Sequence, residues 1–227
     1  MGVIRFSVPR RDRFPVDVAR RAYLSGLEGI PWQSRVIWSG DELCLERDVN
    51  DSGYFYLPWL IDGYGELLLG TTSLMEGESP YHLPLELARG VLCRLRNQLA
   101  IWQSLGLEIP GALQELIGQT TQKLSLAATG FQGDTVVNDA TEQSIAMSVR
   151  ATEMLIARYT DLLLQMRQQT MLKLSTILAA NLESSGLGEN VARSFVAAFN
   201  SAVVPLRGSD VEYNTGQYQW QVPDRQL

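Results

Sequence analysis

His82 is the single histidine of this 227-residue chain, and Cys44 and Cys93 are its two thiols. One imidazole cannot build a zinc site on two histidines, and it leaves a Ser-His-Asp arrangement resting on one residue whose partners nothing marks. It follows Pro80-Tyr81 at a junction of segments, where hydrogen bonding at the start of a helix is the reading. The thiols stand in different segments, too few for a disulfide framework or a Cys-rich metal site, and read as small buried hydrophobes. No residue is assigned a catalytic or metal-ligating role, and no cofactor is expected.

Aromatic residues offer a second chemistry. Trp32, Trp38, Tyr54, Tyr56, Trp59 and Tyr64 gather in the first third of the chain. Rings on a sheet stack on the apolar C–H faces of sugars, so Trp32, Trp38, Tyr54, Tyr56 and Trp59 are the candidate carbohydrate-binding residues, with core packing as the competing reading. Two glycine-bearing stretches look like phosphate loops only at first sight. Gly63-Tyr64-Gly65 lacks the order and following helix of a dinucleotide loop and reads as a hairpin turn. Ser185-Gly186-Leu187-Gly188 reads as a turn and helix cap. The arginines Arg5, Arg10, Arg11, Arg13, Arg20 and Arg21 form a basic N-terminal cluster, read as solvated or paired with Asp12 and Asp17.

Composition narrows the partners. A formal charge of -6 repels a phosphate backbone, so nucleic acid is not expected. Apolar residues make up 45% and charged ones 19%, a globular balance. The N-terminus has no apolar core of a secretory signal and no run spans a membrane, so no membrane partner is expected and the cytoplasm is the default location.

Three regions position these residues. From Val3 to about Leu74, β-rich runs over residues 22–26, 34–40, 42–49, 52–61 and 65–74 alternate with turn residues, as antiparallel hairpins require. Residues 1–78 therefore read as a β-rich, sandwich-like domain. Within residues 52–61 the period of two puts Phe55, Leu57, Trp59 and Ile61 on one face and Tyr54, Tyr56 and Leu60 on the other, while Pro58 favours an edge or bulge. Residues 79–170 read as a helical region. Ala88, Leu92, Leu95, Leu99 and Trp102 mark one helix, residues 112–128 a second, and Ile145, Val149, Thr152, Ile156, Tyr159, Leu163 and Met166 the stripe of a long third. Residues 171–227 then give strand, helix and strand, a βαβ unit with parallel strands.

That last unit resembles the early βα units of glycoside hydrolase family 10, the xylanase-type (β/α)₈ barrels. The family's pattern is a helix ending in Phe-Asn, a strand with Val-Pro or Thr-Pro, and a loop carrying Glu, Gly and an aromatic pair. Here these are Phe199-Asn200, Val204-Pro205, Glu212, Gly216, and Tyr218 with Trp220, with Asp224 opening the next helix. The likeness covers Met171 to Leu227, a quarter of the chain. Where the family has sugar-binding Glu, Asn and Lys after the proline, this chain has Leu206 and Arg207, and Gly208 replaces a Trp, so those roles do not carry over.

The resemblance implies an α+β chain: an N-terminal antiparallel β-sheet domain, a helical region with a long helix, then the first βαβ part of an incomplete (β/α)₈ barrel. It implies a retaining endo-β-1,4-xylanase-like hydrolase of β-1,4-linked glycans, which needs two carboxyl groups about 5 to 5.5 Å apart. In the family these follow later strands in Asn-Glu and Thr-Glu contexts. This chain has no Asn-Glu pair, and Thr141-Glu142 and Thr152-Glu153 fall in the helical region. A barrel takes about 250 residues. The expectation is the N-terminal portion of a longer enzyme, inactive alone, whose partners are a downstream barrel of the same chain and a polysaccharide or oligosaccharide. The alternative is a non-enzymatic carbohydrate-binding or scaffold module.

Overall fold

The alternation read over residues 52–61 becomes the middle strand of a sheet. The computed structural model describes residues 2–11, 14–130, 135–170, 176–182, 188–206 and 208–221, in two compact units, Met1–Gln165 and Met166–Leu227. In the first unit, β1 (Gly2–Ser7) is followed by the short helix α1 (Val16–Arg21), β2 (Tyr23–Ser25), β3 (Ser34–Ser39), β4 (Glu42–Arg47), β5 (Tyr54–Ile61), β6 (Gly65–Gly70) and β7 (Tyr81–His82). One sheet has the order β3-β4-β1-β7 and the other β2-β5-β6.

Each run read as a strand forms one, although the last ends at Gly70 and reaches Leu74 only through a bridge to Gly53. The β5–β6 hairpin turns through Gly63 and Gly65, both at positive φ, where a side chain would be strained. Pro58 lies on the stretch of β5 that β2 does not reach, an open side on which a residue without an N–H is tolerated. The sheets are not wholly antiparallel as expected. Tyr81 and His82 run parallel to Phe6 and Ser7, because the chain crosses the other sheet before returning to β1.

Three helices follow: α2 (Leu83–Ser104), α3 (Gly111–Thr129) and α4 (Thr135–Thr170). Helix α2 stops at a glycine cap. Gly106, at positive φ, donates to Gln103 O and Leu107 to Trp102 O, while the Leu107 side chain enters the core. Its stripe divides between two cores. Leu83, Leu87, Ala88 and Val91 join Ile4, Phe6, Leu24, Phe55, Leu57 and Trp59 from both sheets. Leu92 and Leu95 pack instead with Leu113, Ala151 and Leu155. One core thus joins residues from both sides of residues 78–79, the expected limit between a β domain and a helical region.

The buried face of α4 follows its apolar spacing only in part: Ile145 and Leu155 are buried and Val149, Tyr159 and Leu162 pack on the cores, but small and polar residues share that face and the stripe's other members do not reach it. Thr141, Ser144 and Ala151 are fully buried, whereas Ile156, Leu163 and Met166 are exposed. Small side chains let α3 come close: Ser144 Oγ donates to the Thr120 carbonyl at 3.4 Å, while the Thr120 hydroxyl donates within α3 to Leu116 O. Cys44 is buried as expected, but Cys93 lies exposed on α2, so that expectation fails for one thiol. Among the described residues, no helix is long and apolar enough to cross a membrane.

The second unit contains β8 (Ala179–Asn181), α5 (Glu189–Ala198), β9 (Ser201–Val203), the single turn α6 (Gly208–Val211) and the ribbon of β10 (Glu212–Asn214) with β11 (Gln217–Tyr218). Strands β8 and β9 pair in parallel, Ala180 opposite Ala202, with α5 as their crossover. The chain is therefore mixed α+β with several open sheets. Residues 171–175, the start of the strand read from Met171, lie outside the described residues, as do Arg207 and Asp224.

Helix α2 crosses β6 at Gly90. A Cβ there would fall on Gly70 O and stand 2.6 Å from the carbonyl carbon of Thr71. Gly90→Ala gains about 1 kcal/mol of helix propensity, but it must displace backbone. Overpacking of this kind costs about 1–3 kcal/mol and more where main chain resists. The variant is expected to unfold at lower urea concentration than the parent, read by far-ultraviolet circular dichroism; an equal or higher midpoint would refute the contact.

Candidate functional site

The five candidate aromatics separate by what covers them. Trp59 is 2% exposed in the core, and its indole N–H donates to Glu142 Oε2 at 3.4 Å. It cannot offer a face to a sugar. Trp38 is half-buried: Arg11 lies 4.2 Å from its ring centroid and Phe14 meets its edge at 80°. Trp32 sits over glycines, since a Cβ at Gly53 would stand 2.7 Å from its ring, with the Arg47 guanidinium 5.7 Å from the centroid. Arg47 is itself buried and pairs with Glu76 at 2.8 Å. These two tryptophans thus serve as supports for arginine side chains.

Tyr54 and Tyr56 remain, on the outer face of β5. The register places Tyr23 opposite Tyr56, and their rings stack at 5.1 Å and 16°, with Tyr54 tilted 6.3 Å from Tyr56. Opposite Tyr56 on the other side is Gly70, beside which the Arg94 guanidinium donates to the carbonyls of Gly70 at 2.5 Å and Thr71 at 3.2 Å. Sequence alone did not single out Tyr23 or Arg94. Cross-strand register was the missing signal for one, and the helix position one turn beyond Gly90 for the other.

Beside Arg94, on the opposite side of β6, is a hollow of about 600 Å³ between β6, α2 and α4. Leu67, Leu69, Val91, Leu95 and Ile156 make it apolar, and Gln98 and Thr152 add polar groups. The glutamate of Thr152-Glu153 lines it too, and its Oε2 accepts the Tyr64 hydroxyl at 3.0 Å. Glu142 and Glu153, the carboxylates of the two Thr-Glu dipeptides, therefore tie α4 to the β5–β6 hairpin.

His82 ends β7 and caps α2, its Nδ1 accepting the Leu85 N–H at 3.4 Å, as its position led us to expect. It is 3% exposed, and burial holds the imidazole below its ordinary pKa. Glu86, one turn on, is pushed up by burial, with Arg89 opposing through a hydrogen bond of 2.6 Å. The basic cluster reads as surface pairing. Arg5 meets Glu42, Arg11 meets Asp41 and Arg21 meets Asp17 and Glu66, while Arg13 and Asp12 lie outside the described residues.

In the second unit the residues shared with the xylanase pattern have local tasks. Asn200 clasps the strand pair: its Oδ1 accepts the Leu178 N–H and its Nδ2 donates to Thr176 O, both at 2.7 Å. Phe199 packs against Phe195 at 5.0 Å. Glu212 Oε1 accepts the N–H of Gly216, which stands at positive φ in the β10–β11 turn, and the rings of Tyr218 and Trp220 stack at 6.4 Å. Leu206 is exposed, and Gly208 begins α6. Comparison of the chain with family models, curated proteins and solved structures gives no match.

Two measurements follow from this geometry. Below about pH 6.5, the unfolded chain takes up a proton that folded His82 resists, so stability falls as pH drops through that value. His82→Asn keeps a capping acceptor without titrating. Between pH 7.5 and 5.5 the wild type should lose more stability in urea than this variant; parallel curves would contradict the assignment. Asn200→Ala removes two hydrogen bonds, each worth about 1 kcal/mol, and should speed hydrogen exchange at the Leu178 amide roughly tenfold. Unchanged exchange would count against the clasp.

Proposed function

We propose that this chain is the N-terminal region of a family 10-like glycoside hydrolase acting on β-1,4-linked glycans. In this reading β8, α5 and β9 open a (β/α)₈ barrel, and Met1–Gln165 is an accessory unit. One observation carries it: the parallel pair, its crossover helix and the chain just before β8 leave apolar side chains in solvent, with Val203 51%, Val196 76% and Ile177 74% exposed. Parallel strands occur almost only in sheets covered on both faces. A two-stranded parallel pair in that condition is the kind of unit that further strands and helices complete.

The chemistry of such an enzyme is retaining hydrolysis, with one carboxyl group as acid and base and another as nucleophile. Glu142 and Glu153 are engaged with Trp59 and Tyr64. The catalytic pair would therefore come from barrel strands beyond residue 227, and residues 1–227 alone would not cleave glycans.

A second reading, a non-enzymatic carbohydrate-binding module, is favoured by the half-buried stack of Tyr23, Tyr54 and Tyr56. Both readings meet one experiment. The complete gene product is incubated with xylan and with β-1,4-glucan, product configuration is followed by proton NMR, and the 227-residue chain is titrated calorimetrically with xylohexaose and cellohexaose. Cleavage with retained configuration is expected. No cleavage of either polymer overturns the enzyme reading; hexaose binding weakened at least tenfold in Tyr56→Ala would then leave the binding module.

A further inference from the structure

The hollow of the first unit has a charge at one end and a ring at the other. Arg94, Gln98 and Trp102 follow one another at intervals of four along α2, so about 12 Å of helix separates the first from the last. At the near end, the Arg94 guanidinium donates to two neutral carbonyls, those of Gly70 and Thr71, and among the described residues no carboxylate forms an ion pair with it. Its charge is therefore fixed in direction but not cancelled. The indole of Trp102 forms the far end, stacked on Tyr159 at 4.0 Å and 4°, which holds the ring rigid. Leu67, Leu69, Leu95 and Ile156 line the space between. The carboxylate of Glu153 also lines the hollow, on the α4 side, where it accepts the Tyr64 hydroxyl.

A mainly apolar cleft of 300 to 1,000 Å³ with a few placed polar groups is the usual form of a small-molecule site. A polysaccharide, polar on every edge, does not match such a wall. We propose that the hollow binds a compact ring-bearing amphiphile with a single anionic group, its ring system toward Trp102 and its anion on Arg94. The inference stands apart from the barrel reading, since it uses only residues of Met1–Gln165.

The test is a fluorescence titration of the whole chain with two probes of similar body, the anionic 1-anilinonaphthalene-8-sulfonate and the uncharged N-phenyl-1-naphthylamine. Both are expected to bind at one site. Arg94→Met keeps the stem and removes the charge, and should weaken the sulfonate about tenfold while leaving the neutral probe unchanged. Gln98→Trp, at a half-buried wall position, should fill the space and abolish both; Ile156→Trp, at a half-exposed one, serves if the first variant does not fold. Failure of both probes to bind the parent would overturn the proposal. So would undiminished binding to a folded filled variant, or equal effects of Arg94→Met on the two probes.

Discussion

Helix α2 rests on the main chain of Gly70 and Thr71, and the missing side chain at Gly90 sets that distance. Much of the first unit depends on the contact. It brings Leu87 and Val91 into one core with both sheets, and it leaves the second half of the helix to pack with α3 and α4. One turn beyond Gly90, Arg94 gives its N–H groups to the same two residues, so the end of β6 is satisfied by a side chain where no further strand continues the ladder. The close approach also places the helix face that walls the hollow.

Periodicity made the elements legible because it is a local property. The residues of β5 alternate as read, and Phe55, Leu57, Trp59 and Ile61 are all buried. Pairing is not local. Nothing within residues 22–26 says that Tyr23 will stack on Tyr56, and nothing before Tyr81 says that two residues will return to run parallel with β1. Size was the other hidden variable. Apolar spacing in α4 picks out Ile145 and Leu155, which are buried, but also Ile156 and Leu163, which are not, and it passes over Thr141 and Ser144, whose hydroxyls reach carbonyls and so can be buried at little cost.

The candidate site was legible only in part for the same reason. Residue type marked five aromatics as platforms for sugar, but a ring's use depends on what lies over it. Arg11 lies over Trp38, Arg47 stands near the Trp32 ring, and the core takes Trp59. The Thr-Glu dipeptides show the converse: carboxylates considered for catalysis hold an indole and a phenol in place. In the second unit the strand–helix–strand spacing was informative, since β8 and β9 pair in parallel. The Phe-Asn pair sits where the helix ends and the next strand begins, and Asn200 makes the parallel pairing coherent by binding the chain ahead of β8.

His82 belongs at once to the sheet and to the cap of α2, and Leu83 is already helical. The junction thus contains no slack. If β7 slid by one residue along β1, the helix drawn with it would spin by about 100° on its own axis, carrying Leu87 and Val91 away from the sheets. Strand alignment and helix rotation are in this molecule a single degree of freedom, joined where Tyr81 and His82 pair with Phe6 and Ser7.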